Sequence, residues 1–364
     1  MPPIPLPRAC GGGSGWGKPA LRILFCSRRY FPAISGMSVY ARNLLRELVA
    51  AGHDVTMVSQ YRADPAGTRV YGGGPPPEVP GVRVLGRRSL GEEAFAEPGG
   101  ADFERDVDDM VATIVAEHAR APFDVLHAQY GYPNGWAVLL AAREIGVPAV
   151  VSIQGGDGHW VGSCCETHRL GMVHVLNHAN ALLIGCDSFA QEVMERLHVP
   201  RERFTIVPGA VDITRFHPPE NKREGDPLRL LYHGRVDRRK GALDMLHALA
   251  ILRDAGVPFA LTVSGIGPDL DASKALAEEL GLPVHFSGYA DYDAAPALYQ
   301  HADIFVSPTY AEGFSNTILE AMASGIPTVS CHAVGVVDCL RDGENGLLVQ
   351  PGDIPALAAA LRRM

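Results

Sequence analysis

The chain has 364 residues, enough for two domains of ordinary size. Its composition, 47% hydrophobic and 20% charged, is that of a globular protein, and a net charge of −9 argues against nucleic acid as the main partner. No apolar run is long enough for a membrane-spanning helix, and the seven cysteines are scattered without a Cys-x-x-Cys pair, so a reducing cytoplasm is the expected compartment.

Residues 1–20 lack the apolar stretch of a signal peptide, and their Pro and Gly content predicts a disordered leader. Residues 21–26 read as a first buried strand. A loop through Arg28 to Gly36 leads to a helix with an apolar stripe at Met37, Tyr40, Ala41, Leu44, Leu45 and Leu48, stopped at Gly52. A second strand at 54–59 completes a βαβ unit, hence a parallel sheet with a right-handed crossover. The loop lacks Gly-x-Gly-x-x-Gly, so a nicotinamide fingerprint is absent.

Residues 60–100 form a long polar connection, interrupted by a short strand at 82–85; such connections are functional or disordered. A helix at about 102–119 precedes a strand at 123–128. Its His127 sits at the carboxyl end, where open α/β sheets bind ligands, although a structural histidine fits the position as well. The strand at 148–153 ends in Gln154-Gly155-Gly156-Asp157, followed by His159. Cys164, Cys165 and His168 invite a metal reading, but adjacent cysteines are poor joint ligands, and no metal site is expected. A helix at 166–178, a strand at 181–186 and a helix at 189–197 capped by Asp187-Ser188 follow.

The second half opens with a strand near 204–207 and a polar connection at 218–227. A strand at 228–233 runs into Gly234-Arg235-Val236-Asp237-Arg238-Arg239-Lys240-Gly241 and a helix with Leu243, Leu246, Leu249 and Leu252. A strand, a glycine, two cations five apart and a helix N-terminus make an anion site. Arg235 can fork onto two phosphate oxygens, Lys240 acts as a point charge, and Arg238 and Arg239 are expected to be solvated. A strand at 259–264 enters the turn Gly265-Ile266-Gly267-Pro268, and a strand at 284–289 ends at Tyr289. After a helix near 295–301 and a strand at 302–308 comes Glu312-Gly313-Phe314-Ser315-Asn316-Thr317-Ile318-Leu319-Glu320, entering a short helix stopped at Gly325. Ser315 or Asn316 is the expected N-cap, leaving the first N–H groups of the helix to attract an anion. Gly313 admits close backbone approach. Glu312 could accept from sugar hydroxyls and Glu320 from the vicinal hydroxyls of a ribose; the bland alternative is two solvated glutamates at a helix end. A strand at 326–330 and a helix from about Asp353 complete the chain.

The Glu312-x7-Glu320 pattern, combined with Gly234-Arg235-x4-Lys240-Gly241, resembles the retaining GT-B glycosyltransferases of family 4, the glycosyl transferases group 1. The resemblance runs over 21–364 and is most specific over 228–350. It implies an α/β protein of two doubly wound Rossmann-like domains facing a cleft. Residues 21–205 would form the acceptor-side domain and 206–364 the nucleotide-sugar domain, with the family's C-terminal crossover helix expected to be missing. By this resemblance Arg235, Lys240, Glu312 and Asp157 would serve catalysis. Gly36, Gly234, Gly265, Tyr289, Gly313, Phe314, Ser315 and Glu320 would contact the donor. His127 and Gln154 would touch the transferred sugar. Gln154 stands where the family usually has His, and Asp338 where it has Glu. Ser35-Gly36 replaces a Gly-Gly pair.

The implied reaction is transfer of a sugar from a nucleotide diphosphate to a hydroxyl with retention, in the hexosyltransferase class. No cofactor or metal is implied, and the partners are a nucleotide-diphosphate sugar and a hydroxyl acceptor on a glycan, lipid carrier or small molecule. Peripheral contact with the inner face of a membrane is compatible with a lipid-linked acceptor. The alternatives are a nucleotide-sugar-binding protein without turnover, and an epimerase or phosphorylase of the same fold.

Overall fold

The computed structural model describes residues 19–28, 36–61, 79–89, 103–155, 166–220, 225 and 227–364. The chain divides into two compact units. One ends at Val207, the other begins at Pro208, and the short segment Cys186–Phe189 groups with the second.

From residue 22 to 206 the elements are β1 (Arg22–Ser27), α1 (Gly36–Ala50), β2 (Asp54–Tyr61), β3 (Val82–Arg88), α2 (Glu104–Arg120), β4 (Val125–Gln129), α3 (Trp136–Ile145), β5 (Ala149–Ile153), α4 (Glu166–His178), β6 (Ala181–Ile184), α5 (Asp187–Leu197) and β7 (Phe204–Ile206). The strands form one parallel sheet in the order β3-β2-β1-β4-β5-β6-β7. The order reverses between β1 and β4, the switch point at which open α/β sheets take ligands. One face of the sheet buries Phe25, Val55 and Met57 under Ala41 and Leu45 of α1, with Leu44 and Leu48 packed at the edge. Of the stripe read from the sequence, Ala41, Leu44, Leu45 and Leu48 pack here, and Val39, outside that stripe, is buried as well.

The second unit repeats the plan with β8 (Leu228–His233), α6 (Ala242–Asp254), β9 (Phe259–Ser264), α7 (Leu270–Glu279), β10 (Val284–Gly288), α8 (Ala295–Gln300), β11 (Ile304–Ser307), α9 (Asn316–Ala323), β12 (Thr328–Cys331), β13 (Leu347–Val349) and α10 (Ile354–Arg363). Its order is β10-β9-β8-β11-β12-β13, again parallel, with the switch between β8 and β11. Strands buried on both faces are apolar throughout rather than alternating. Leu230, Tyr232, Ile304 and Val306 face a core shared with α6 and α10. Their neighbours Leu231 and Phe305 face the opposite core, with Tyr299 of α8 and Ile318 of α9.

Two helices escaped the sequence analysis. In α3 apolar residues dominate one continuous run, so no polar face marks it as helical. In α7 only Ser273 and Ala277 are buried, and Leu270 and Leu276 pack on the core from partly exposed positions, so its apolar face is short.

The turns after β8 and β9 meet main chain to main chain. Gly234 N–H donates to Ser264 O at 2.9 Å, and Val236 N–H to Ile266 O at 3.1 Å. Gly265 has φ +148°, and a Cβ there would lie 1.8 Å from Gly234 O. Gly265→Ala should therefore lower the unfolding free energy by at least about 2 kcal/mol, from backbone strain plus a backbone clash. A urea titration with an unchanged midpoint would show that the two turns separate freely.

Candidate functional site

In the second unit the residues singled out in sequence gather at the carboxyl ends of β8 and β11. Lys240 closes the turn after β8, and its Nζ lies 2.7 Å from Oε1 of Glu312, which follows β11. The same ammonium donates to Ala311 O at 3.2 Å. Gly241, with φ +70°, lets this turn press on Pro308, where a Cβ would stand 2.1 Å from the carbonyl oxygen. Glu312 N–H donates to Val334 O at 2.8 Å, which ties the loop to the segment after β12.

Arg235 is exposed, with Nε 3.4 Å from Oδ2 of Asp237. Asp237 is buried and accepts from Arg239 Nη2 at 2.6 Å and from Arg239 N at 2.9 Å. Burial alone would raise the Asp237 carboxyl, but the hydrogen bonds from Arg239 outweigh it and hold the group below its usual range. Arg238 Nη2 pairs with Asp269 at 3.1 Å. The two arginines expected to be solvated are thus each tied to a carboxylate. The side chain of Arg238 is nonetheless 71% exposed and that of Arg239 41% exposed. Buried Tyr232 feels Glu312, Asp237 and Arg235 together, which puts these charges around one strand end.

Ser315 takes the N-cap position of α9 with extended backbone (φ −90°, ψ 96°), but its side chain makes no capping bond. Its hydroxyl lies 3.3 Å from Thr317 Oγ1 instead. The first turn of α9 therefore keeps N–H groups that this residue does not cap. Phe314 packs against Gly209, where a Cβ would approach the ring to 2.7 Å. The Gly313 carbonyl accepts from Cys186 Sγ at 3.2 Å. Tyr289 is half-buried just after β10, next to Gly288, whose carbonyl accepts from Gly265 N–H at 2.7 Å.

Glu320 lies inside α9 and is only 7% exposed. The phenolic O–H of Tyr299 donates to its Oε2 at 2.7 Å. Burial pushes the carboxyl up to about 7, against the Tyr299 hydrogen bond and the charge of Arg215, which act to lower it.

In the first unit Gly36 is the exposed first residue of α1, and Gln154 is half-buried immediately after β5. Asp157, with His159, Cys164 and Cys165, lies outside the described residues. His127 is 7% exposed, with Nε2 2.8 Å from Ser152 Oγ. Burial pulls it down to about 4, so the ring is neutral near pH 7. Around it sits a buried polar set that sequence reasoning missed. Ser27 O–H donates to Gln129 Oε1 at 2.7 Å, Gln129 Nε2 donates to Met37 O at 2.8 Å, and Tyr40 hydrogen-bonds Ser152. The available signal was polar residues ending apolar strands at the switch point. Among the described residues no group of three or more His, Cys, Asp or Glu could hold a metal ion, and no helix is long and apolar enough to cross a membrane.

The Glu320 carboxyl gives stability a pH dependence. Its folded pKa is raised, so the folded protein holds this proton more tightly than the unfolded chain. The contribution is fully present below about pH 4.5 and is lost as pH rises through about 7. Glu320→Gln should therefore gain thermal stability relative to wild type at pH 8 compared with pH 5. Melting curves at the two pH values with the same difference between the proteins would contradict this.

Comparison with known proteins places this geometry. Residues 35–210 match the Glycosyl transferase 4-like domain, and residues 213–364 match the family Glycosyl transferases group 1. Glycogen synthase of Mycobacterium tuberculosis is 29% identical over 370 residues, covering 94% of this chain and 85% of its own length. The MMP alpha-(1->4)-mannosyltransferase of Mycolicibacterium hassiacum is 28% identical over 387 residues, covering 94% and 89%. The solved structure of sucrose-phosphate synthase from Thermosynechococcus elongatus superposes with a TM-score of 0.75 at 23% identity, covering 94% of this chain and 89% of that one, and shows the same GT-B fold. With both units matched, the chain belongs to the glycosyl transferases group 1 and is a nucleotide-sugar-dependent glycosyltransferase of family 4.

Proposed function

We propose that the second unit binds a nucleotide-diphosphate sugar and that its sugar passes to a hydroxyl acceptor with retention of configuration. The observation that carries this reading is the Lys240–Glu312 contact, which joins the Gly-Arg-x4-Lys turn to the Glu-x7-Glu loop at the switch point of one sheet. Arg235, Lys240 and the N-terminus of α9 oppose the charge that grows on the departing diphosphate. Gly234, Gly265 and Gly313 let the main chain approach the nucleotide and the diphosphate. Glu312 accepts from a sugar hydroxyl, and Glu320 accepts from the ribose. Ser315 and Phe314 shape the loop between them, and Tyr289 borders the base.

The first unit would receive the acceptor, with Gly36, Gln154, His127 and Asp157 on the sugar side. Gln154 offers a neutral amide in place of an imidazole, so it can orient a hydroxyl and cannot exchange a proton with it. The bond from C1 of the sugar to the diphosphate oxygen breaks, and the acceptor oxygen bonds C1 from the same face. The acceptor's proton passes to the released phosphate oxygen. No side-chain nucleophile takes part, and the two cations with the helix N-terminus supply the neutralisation that a metal would otherwise give. On this reading the reaction takes place in the cytoplasm, on an acceptor hydroxyl of a glycan, a lipid carrier or a small molecule, a lipid-linked acceptor calling for peripheral contact with the inner membrane face.

A panel of UDP-, GDP- and ADP-sugars, followed by release of free nucleoside diphosphate with and without chelator, tests the reading. Chelator-insensitive release from one donor is expected; binding of a donor without release, across a broad acceptor set, would overturn transfer. Lys240→Ala should lower kcat about 100-fold with a smaller change in donor affinity. Glu320→Ala should chiefly weaken nucleotide binding. Two mutants that turn over like wild type would remove these residues from the site.

A further inference from the structure

The carboxylate of Glu320 is held from one side only. Its Oε2 accepts from Tyr299 O–H at 2.7 Å, and among the described residues no other hydrogen bond reaches the group, although the residue is 93% buried. The other oxygen, Oε1, is not among the fully enclosed side-chain atoms without a partner, so it keeps some surface of its own. Tyr299 is itself completely buried, and its ring is fixed by three aromatic neighbours. Phe216 and His233 meet it edge-on at 5.7 and 5.8 Å, and Phe305 lies at 5.5 Å. His233 ends β8 directly before Gly234, and its Nδ1 lies 3.2 Å from Ser264 Oγ, directly before Gly265. The phenol is thus braced against the same strand ends that carry the glycine turns. It has no rotamer freedom to follow a moving glutamate.

We propose that Tyr299 is a positioning residue for the donor: its O–H occupies Oε2 of Glu320 and turns Oε1 toward the vicinal hydroxyls of the nucleotide ribose. This rests on the donor-site reading above. A glutamate free to rotate about its terminal bond would present either oxygen in many directions. One fixed donor on the far oxygen removes that freedom before the nucleotide arrives, so the ribose contact forms without first ordering a side chain. The O–H also favours the ionised carboxylate, the form able to accept from hydroxyls.

The test is calorimetric titration with UDP, GDP and ADP and with their 2′,3′-dideoxy counterparts. Wild type should bind one ribonucleotide at least about tenfold more tightly than its dideoxy form, the range of one or two hydrogen bonds to a charged group. Tyr299→Phe should cut that preference to about threefold or less while leaving dideoxy affinity unchanged. Replacing Tyr299 with para-aminophenylalanine, which keeps a donor at the same place, should restore it. A Tyr299→Phe protein that fails to fold, that weakens both nucleotides equally, or that keeps the full preference overturns the proposal alone. A wild type that binds none of the nucleotides, or that binds ribo and dideoxy forms alike, overturns the donor-site reading and the proposal with it.

Discussion

The ion pair between Lys240 and Glu312 is the contact on which the proposed donor site depends. The two residues are far apart in sequence and come together because β8 and β11 are neighbours at the point where strand order reverses. Both side chains remain partly exposed, at 32% and 20%, so the pair contributes little to stability in itself. Its effect is geometric. It sets the position of the loop that carries Glu312 and Gly313, and so the position at which α9 begins. A Lys elsewhere on the turn would leave that loop anchored only through its main chain.

The two units handle polarity differently at their strand ends. In the second, fixed charges cluster around Tyr232 and the arginines are tethered by Asp237 and Asp269. In the first, the buried set of Ser27, His127, Gln129 and Ser152 works through neutral hydrogen bonds, and His127 stays uncharged because burial penalises its cation. The proposed division of labour, a charged donor on the second unit and a hydroxyl acceptor on the first, asks for this difference. Electrostatic attraction suits the diphosphate, and directional hydrogen bonds suit a hydroxyl.

Much of this was legible in the chain. Parallel strands buried on both faces write themselves as apolar runs, which is why β1, β8 and β11 stood out. The Gly-Arg-x4-Lys and Glu-x7-Glu spacings carried the anion site because main-chain turns and point charges need fixed intervals. Tyr299 carried no such mark: it sits in a short helix within an ordinary sequence, and its role follows only from the fold bringing α8 beside α9. The carboxylate partners of Arg238 and Arg239 carried no such mark either. Asp237 is placed by a turn and Asp269 directly precedes α7, while the side chains of Arg238 and Arg239 stay 71% and 41% exposed, as expected of solvated arginines. Asp157 stays a sequence reading, because its segment falls outside the described residues.

The glycine turns after β8 and β9 bear on how such a protein changes over time. At Gly265 the main chain itself forms the surface, because a Cβ there would lie 1.8 Å from Gly234 O, and Gly234 has a backbone conformation, φ +142°, that favours glycine. A cradle made of main chain does not record side-chain drift. For the proposed donor site, the cations and carboxylates at the rim can be exchanged one at a time while nucleotide binding survives, so loss of turnover and loss of binding are separate evolutionary events. A lineage that abandoned the reaction would keep the cradle as a sensor or a scaffold, and could regain chemistry by a few substitutions at its rim. Replacement of the glycines would close that route.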